Sequence, residues 1–254
     1  MPEYKALILD LDGTLIGPDE RISPRVAEAV KEVARKIGVS IATGRETGDV
    51  LKYGKELGLT WPQISDNGAM IIDPESGESL WSAPLGEELS RKAMRPIIES
   101  GCEFFATHAG GTITDLASLD TWELTRVSAL DLDRETADAM METMSDESGL
   151  DSVKVWLPYN RLWAVDFTRS GIHKGSTLRV LCEMTGIAPS QTIAVGDSFN
   201  DAPMIETAGL GIAMGNAPRE VRDAARYSVP TVEQDGLAHA IERHVLPLLS
   251  TAGK

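Results

Sequence analysis

Short apolar runs alternate with helical patterns along the first part of the chain. The run from Tyr4 to Leu9 stops at Asp10, which is typical of a buried parallel strand that ends in a loop. Ser23 is a favourable N-cap for the segment 24–37, whose apolar residues recur at helical spacing. A second apolar run, Val39 to Ala42, follows directly. A strand, a helix and a strand in this order predict a parallel α/β unit.

This alternation breaks at about residue 84 and resumes after residue 168. Before the break we predict a helix over 47–57, a strand at 63–65, a loop at 66–68 and a hairpin edge at 69–72. Within it we predict helices over 87–100 and 134–148 and strands at 103–107, 112–114, 152–157 and 162–168. After it we predict helices over 174–185, 202–208 and 218–225, strands at 192–195 and 210–213, and a last helix from Leu237.

The predicted fold class is therefore α/β. A Rossmann-like parallel-sheet core of residues 1–83 and 169–254 is interrupted by an inserted α+β domain over residues 84–168. The core would be discontinuous in sequence, and its helices and strands would resume after the insert.

Net charge narrows the range of partners. The 24 Lys and Arg residues against 39 Asp and Glu residues give a formal net charge of −15, which repels phosphate backbones and anionic lipid. Nucleic acid and membranes are therefore not expected as partners. An anionic substrate would need a local cluster of cations or a metal ion. Cys102 and Cys182 form no C-x-x-C motif, so neither a disulfide scaffold nor a zinc site is indicated.

The sequence also bears on location and assembly. No apolar run of transmembrane length and no signal-peptide pattern occurs, so a cytoplasmic location is expected. The expected assembly is a monomer or a small homo-oligomer.

Two acidic clusters directly follow two of the predicted parallel strands. Asp10 and Asp12 end the first strand, and Asp197 and Asp201 follow the strand at 192–195. The carboxyl ends of parallel strands share one edge of the sheet, where such folds bind ligands. Converging carboxylates repel each other unless a cation lies between them, and Mg²⁺ prefers hard oxygen ligands. Each cluster taken alone could instead cap a loop or the next helix.

A hydroxyl and two cations are predicted at the same edge. Thr43, Gly44 and Arg45 end the second strand, and Lys174 starts the helix after the insert. A small hydroxyl and a cation at one rim could hold phosphoryl oxygens and offset their charge. Taken singly, Thr43 could be a helix cap and Lys174 a solvated surface residue.

Four segments together resemble the motifs of the haloacid dehalogenase superfamily of phosphotransferases. They are DLDGTL at 10–15, Thr43-Gly44-Arg45, Lys174 within HKG, and GDSFND at 196–201. The insert is similar to the type IIB cap of the Cof-like, sucrose-phosphatase-like and archaeal phosphoglycolate-phosphatase-like subgroup. The segment Asp66-Asn67-Gly68-Ala69 is similar to a loop of that subgroup.

The resemblance implies a role for each matching residue. Asp10 would be the nucleophile, and Asp12 would be its acid and base partner. Mg²⁺ would be bound by the Asp10 carboxylate, the Asp12 backbone carbonyl and Asp197, with Asp201 as a further ligand or an anchor. The residues implied at the phosphate or the substrate are Thr43, Gly44, Arg45, Asn67, Lys174 and Asn200.

These roles predict a Mg²⁺-dependent phosphatase that forms an aspartyl-phosphate. Its substrate would be a small phosphorylated metabolite, such as a sugar phosphate or a phosphoglycolate-like ester, and the insert would select the leaving group. A phosphomutase of the phosphomannomutase type is the nearest alternative, because it uses the same catalytic pair. An inactive family member that acts as a binding module is a third possibility.

Overall fold

The computed structural model describes residues 3–157 and 160–249, which form two compact units. One unit contains the residues up to Leu80 together with those from His173 onward, and the other is Trp81–Ile172. A parallel sheet in the first unit and antiparallel pairing elsewhere confirm the predicted α/β class. The predicted insert, 84–168, lies within the second unit, and its role as a cap stays a prediction.

Strands and helices alternate along most of the described chain. The strands are β1 (Ala6–Leu9), β2 (Gly38–Ile41), β3 (Gln63–Ser65), β4 (Met70–Ile72), β5 (Ser79–Ser82), β6 (Phe104–His108), β7 (Gly111–Ile113), β8 (Leu124–Leu132), β9 (Leu150–Leu157), β10 (Leu162–Arg169), β11 (Thr192–Gly196), β12 (Leu210–Ala213) and β13 (Tyr227–Ser228). The helices are α1 (Pro24–Ala34), α2 (Thr47–Leu57), α3 (Gly86–Ser100), α4 (Arg134–Met144), α5 (Lys174–Thr185), α6 (Ala202–Thr207), α7 (Arg219–Ala224), α8 (Gly236–Ala240) and α9 (Leu246–Leu249).

The parallel sheet of the first unit has the strand order β13-β12-β11-β1-β2. Strand β1 lies inside this sheet and pairs with β11 on one side, Ala6 opposite Thr192, and with β2 on the other, Ala6 opposite Gly38. Helix α1 packs on β2, and α6 packs on β11 and β12. Every residue of β1 is buried, as its unbroken apolar run predicts.

Local signals explain why α1 begins where it does. The hydroxyl of Ser23 accepts a hydrogen bond from the backbone N–H of Val26 at 3.2 Å, and Pro24 occupies the first turn. Val26, Val30 and Val33 form the buried face of the helix. The helix ends at Ala34, earlier than the predicted residue 37.

The second unit contains an antiparallel sheet of order β7-β6-β8-β10-β9. Its apolar core includes Met94 from α3, Met140 from α4 and Phe167 from β10. The long strand β8 lies at the centre of this sheet, although the sequence pattern did not predict it. No helix in the described parts of the chain is both long enough and apolar enough to cross a membrane.

Candidate active site

Four neighbouring parallel strands end at the same edge of the core sheet. Asp10 follows β1, Asp197 follows β11, Thr43 follows β2, and Asn216 follows β12. Because these strands are adjacent and parallel, their carboxyl ends present the four residues in one row. This edge is where the sequence predicts the site, and Asn216 is an addition that the sequence analysis missed.

Lys174 forms a buried ion pair with two aspartates. Its Nζ donates at 2.6 Å to Oδ1 of Asp10 and at 2.6 Å to Oδ1 of Asp201. All three residues are at most 4% exposed. Burial alone would lower the pKa of Lys174, but attraction by Asp10 and Asp201 outweighs it and raises that pKa. Lys174 is thus a permanent cation in this site, not the solvated lysine that its sequence position alone would suggest.

Negative charge still exceeds positive charge around this lysine. Carboxylate oxygens of Asp10, Asp197 and Asp201 all lie within 4.8 Å of one another. Burial, and after it the charge of Asp201, raise the pKa of Asp10 well above its ordinary range. The same two causes raise the pKa of Asp197 to about 7. One lysine therefore does not fully compensate the three acids.

A divalent cation fits this cluster. Oδ2 of Asp10 is buried and receives no hydrogen bond within the described parts of the chain. A buried carboxylate oxygen without a donor is costly unless a cation or a ligand meets it. Hard oxygen atoms are also the donors that small divalent cations prefer. The cluster of Asp10, Asp197 and Asp201 can therefore hold a metal ion.

Asp201 has the contacts of an anchor. Its Oδ2 accepts hydrogen bonds at 3.0 Å from the backbone N–H groups of Asp197 and Ser198 and from the Ser198 hydroxyl, while its Oδ1 binds Lys174. Both oxygens are thus already occupied by donors. Of the two roles predicted for Asp201, the anchor accounts better for these contacts.

Asn216 joins the loop after β1 to Asp197. Its side-chain Nδ2 donates to the carbonyl of Gly13 at 2.9 Å and to Oδ2 of Asp197 at 2.7 Å. Its Oδ1 accepts from the backbone N–H of Val232 at 3.1 Å. The same strand-end rule that identified Asp10 and Asp197 also applies to β12 and could have found Asn216.

Gly13 is required where the loop passes Asp197. Its φ is +80°, and a Cβ at this position would lie 2.2 Å from Oδ2 of Asp197. We expect Gly13→Ala to lower the free energy of unfolding by about 1–3 kcal/mol, through backbone strain and the clash. Gly17→Ala is the matched control, because its Cβ would meet only Oδ1 of Asp19 at 3.7 Å. Urea unfolding of both variants checks this, and equal stabilities would contradict it.

Thr43, Gly44, Asn67 and Asn200 form a second group of predicted residues that the structure brings together. The backbone N–H of Asn67 donates to the carbonyl of Thr43 at 3.0 Å. Nδ2 of Asn200 donates to Oδ1 of Asn67 at 3.0 Å, and a Cβ on Gly44 would lie 3.3 Å from that same oxygen. These contacts join the ends of β2, β3 and β11.

The turn that carries Asn67 has an unusual backbone. Asp66, Asn67 and Gly68 all have positive φ, with values of 54°, 56° and 100°. The Thr177 hydroxyl donates to the carbonyl of Gly68 at 2.6 Å and ties this turn to α5, the helix that starts with Lys174. Strained residues of this kind persist where the surroundings fix them, often at functional sites.

Arg45 and Asp12 form an ion pair with each other. Neither belongs to the cluster of Asp10, Asp197 and Asp201. The guanidinium donates to both Asp12 oxygens, from Nε at 3.0 Å and from Nη2 at 2.7 Å. The Asp12 side chain is 52% exposed and lies outside the three-acid cluster. Its predicted metal contact is through the backbone carbonyl and stays a prediction, as does the predicted phosphate contact of Arg45.

Comparisons with known proteins define the class. The chain belongs to the haloacid dehalogenase-like hydrolase family, whose sequence model matches residues 7–241. A phosphoglycolate phosphatase of Natronomonas pharaonis is 29% identical over 237 residues, 93% of this chain and 96% of that protein. A solved haloacid dehalogenase-like hydrolase of Bacteroides thetaiotaomicron has a TM-score of 0.83 at 26% identity and covers 95% of this chain and 99% of its own.

A third comparison concerns the fold alone. A sugar phosphatase of HAD subclass IIB matches with a TM-score of 0.76 at 22% identity, over 94% of this chain and 98% of its own. The family match confirms the predicted superfamily, the solved structures confirm the predicted fold, and the name of the curated relative agrees with the predicted subgroup. They also confirm the predicted enzyme class, a phosphatase acting as a phosphoric monoester hydrolase.

Proposed function

We propose that this protein is a Mg²⁺-dependent phosphatase that hydrolyses a small phosphomonoester through a phosphorylated Asp10. The observation that carries the proposal is the cluster of buried Asp10, half-buried Asp197 and buried Asp201 around Lys174 at the carboxyl edge of the parallel sheet. Carboxylates and a fixed cation in such a place suit phosphoryl transfer, which depends on positioning and charge compensation.

The first half of the reaction transfers the phosphoryl group to the protein. A carboxylate oxygen of Asp10 attacks phosphorus while the bond from phosphorus to the leaving oxygen breaks, and Asp12 gives a proton to that oxygen. Lys174 holds the Asp10 carboxylate in place through its 2.6 Å hydrogen bond. Lys174, Thr43 and Asn200 would also bind phosphoryl oxygens, with support from Gly44 and Asn67.

The second half releases phosphate. Asp12 takes a proton from a water molecule as that water attacks phosphorus, and the bond between phosphorus and Asp10 breaks. Asp10 returns as a carboxylate, and water is the only co-substrate that the two half-reactions need. When bound, Mg²⁺ would be held by Asp10, Asp197 and the Asp12 carbonyl and would compensate charge on the phosphoryl oxygens.

Phosphate release from a panel of esters tests this function. Phosphoglycolate, hexose 6-phosphates and glycerol phosphates are compared with and without Mg²⁺, with inorganic phosphate as the readout. The relatives named as phosphoglycolate and sugar phosphatases support these choices. Interconversion of hexose 1-phosphate and 6-phosphate without phosphate release would favour the phosphomutase. Failure to turn over any ester under either condition would contradict both activities.

Metal binding is tested separately by thermal unfolding. We expect saturating Mg²⁺ to raise the midpoint, since a ligand at about 100 times its Kd stabilises the folded state by about 2.7 kcal/mol. In Asp197→Asn the shift is lost, and the metal-free midpoint rises because one of three like charges is removed. NaCl at matched ionic strength is the control. The same Mg²⁺ shift in both proteins would rule out Asp197 as a ligand.

A further inference from the structure

The Asp12 carboxylate is held by a second network that the sequence analysis did not identify. Arg45 binds both oxygens of Asp12, and its Nη2 also donates to Oε1 of Glu20 at 3.0 Å. Its Nη1 donates to Oδ2 of Asp49 at 3.3 Å. A guanidinium that binds a carboxylate with two parallel hydrogen bonds fixes the plane of that carboxylate as well as its position.

The backbone of Glu20 is itself fixed in an unusual conformation. Its φ is 57°, which few residues other than glycine adopt. The hydroxyl of Tyr53 donates to the Glu20 carbonyl at 3.1 Å, and Tyr53 is only 1% exposed. Asp49 lies one turn before Tyr53 on α2, so the same face of this helix supports both Glu20 and Arg45.

The charges around Arg45 argue against a direct phosphate contact. Four hydrogen bonds from its guanidinium end on the carboxylates of Asp12, Glu20 and Asp49. A guanidinium has five N–H donors, so few remain for another ligand. Three carboxylates around one cation also leave local negative charge, which repels a phosphate dianion.

We propose that Arg45 and Glu20 are positioning residues for Asp12, and that Arg45 acts through Asp12 and not by contact with the phosphate. This inference rests on the proposed function, in which Asp12 transfers the proton to the leaving oxygen. Arg45 sets the orientation of the Asp12 carboxylate, and Glu20, held by Tyr53, keeps Arg45 in place.

The dependence of the rate on the leaving group distinguishes the two roles of Arg45. The phenolate of 4-nitrophenyl phosphate leaves with little help from an acid, whereas the alkoxide of glycerol phosphate needs a proton. A misplaced Asp12 therefore slows the alkyl ester selectively. Loss of a phosphate contact instead weakens all esters alike and raises the inhibition constant of inorganic phosphate.

The variants are Arg45→Ala, Arg45→Lys, Glu20→Gln and, as a reference, Asp12→Asn. Asp19→Asn is the matched control for Glu20→Gln, because Asp19 is an exposed neighbour whose carboxylate accepts a hydrogen bond from the backbone N–H of Arg21. For each variant, kcat/KM is measured for 4-nitrophenyl phosphate and glycerol phosphate, together with competitive inhibition by inorganic phosphate. Thermal midpoints show that each variant is folded.

We expect Arg45→Ala to lower kcat/KM for glycerol phosphate by about tenfold to a hundredfold, and for 4-nitrophenyl phosphate by no more than about threefold. Glu20→Gln should show the same selectivity with a smaller loss, and Arg45→Lys should lie between Arg45→Ala and the native protein. Asp19→Asn should keep the native kcat/KM for both esters. The inhibition constant of phosphate should be the same in these variants as in the native protein.

Two results would overturn the inference. Equal losses for both esters in Arg45→Ala, with weaker phosphate inhibition, would assign Arg45 to the phosphate. If Glu20→Gln has the same kinetics as Asp19→Asn, Glu20 is not a positioning residue for Asp12. Asp12→Asn shows whether the inference alone fails or the proposed function fails as well. If Asp12→Asn lowers kcat/KM equally for both esters, the proposed role of Asp12 in proton transfer is wrong, and the inference is wrong with it.

Discussion

Asp10→Asn is expected to lower phosphate release by about 10⁴-fold or more, because an amide is a poor nucleophile and the covalent step is lost. The change keeps the size of the side chain and removes one buried charge, so the protein should stay folded. Asp10 is 4% exposed and shares Lys174 with Asp201, which limits rearrangement of the amide. Asp19→Asn, an exposed acid in the loop that follows, is the matched control and should keep full activity.

The phosphorylated residue can also be identified directly. Native protein quenched during turnover and treated with borohydride should carry homoserine at position 10, since an acyl phosphate is reduced while a free carboxylate is not. Peptide mass spectrometry reads this out. Undiminished release from Asp10→Asn, or homoserine at another aspartate, would show that Asp10 is not the nucleophile.

Lys174→Met is expected to affect stability and activity together. Removing one partner of a buried ion pair leaves uncompensated charge, and such changes cost about 3–5 kcal/mol of unfolding free energy. Lys174 pairs with two buried aspartates, so both Asp10 and Asp201 lose their cation. Phosphate release should fall by about 10²–10³-fold, as expected when a fixed donor to developing charge is lost.

A second substitution tests whether charge is the cause. Adding Asp10→Asn to Lys174→Met removes one of the stranded carboxylates and should recover part of the lost stability, a non-additive result typical of residues in contact. Lys55→Met is the control, since Lys55 is exposed on α2. Urea unfolding without metal is measured for the native protein, Lys174→Met, Asp10→Asn, the double variant and Lys55→Met. Additive losses in the double variant would show that lost packing, not stranded charge, destabilises Lys174→Met.

The pattern of strand ends predicts much of the candidate site. Asp10, Asp197 and Thr43 were each found as polar residues directly after an apolar run, and the structure places all three at one edge of the sheet. This works because a buried parallel strand has a distinct apolar signature and its carboxyl end has a fixed location. The position of a strand end follows from the backbone topology alone, so it can be predicted without knowledge of side-chain packing.

Side-chain pairing was not predictable in the same way. Nothing in the local sequence indicates that Lys174 is buried, because its partner Asp10 lies far away in the chain and meets it only in the folded sheet. The contact of Arg45 with Glu20 likewise depends on a loop whose backbone has a rare positive φ. Burial of a charged residue is decided by tertiary contacts, which a local pattern does not contain.

Strand β8 shows why the second unit was harder to predict. A half-exposed strand alternates apolar and polar residues, but β8 is buried along most of its length and carries polar side chains among its buried residues. Nη1 of Arg126 and the hydroxyl of Ser128 both donate to Asp166 of β10, so these polar side chains pair inside the sheet. The sequence therefore shows neither an apolar run nor a clean alternation.

The pairing of β1 with β11 also sets an order for folding during synthesis. Ala6 emerges from the ribosome early, whereas its partner Thr192 follows the whole of the second unit. Contacts so distant in sequence close late and slow folding, while Trp81–Ile172 forms its own sheet from nearer segments. Until β11 is made, one edge of the apolar strand β1 stays unpaired, and an unpaired apolar edge favours aggregation with strands of other chains.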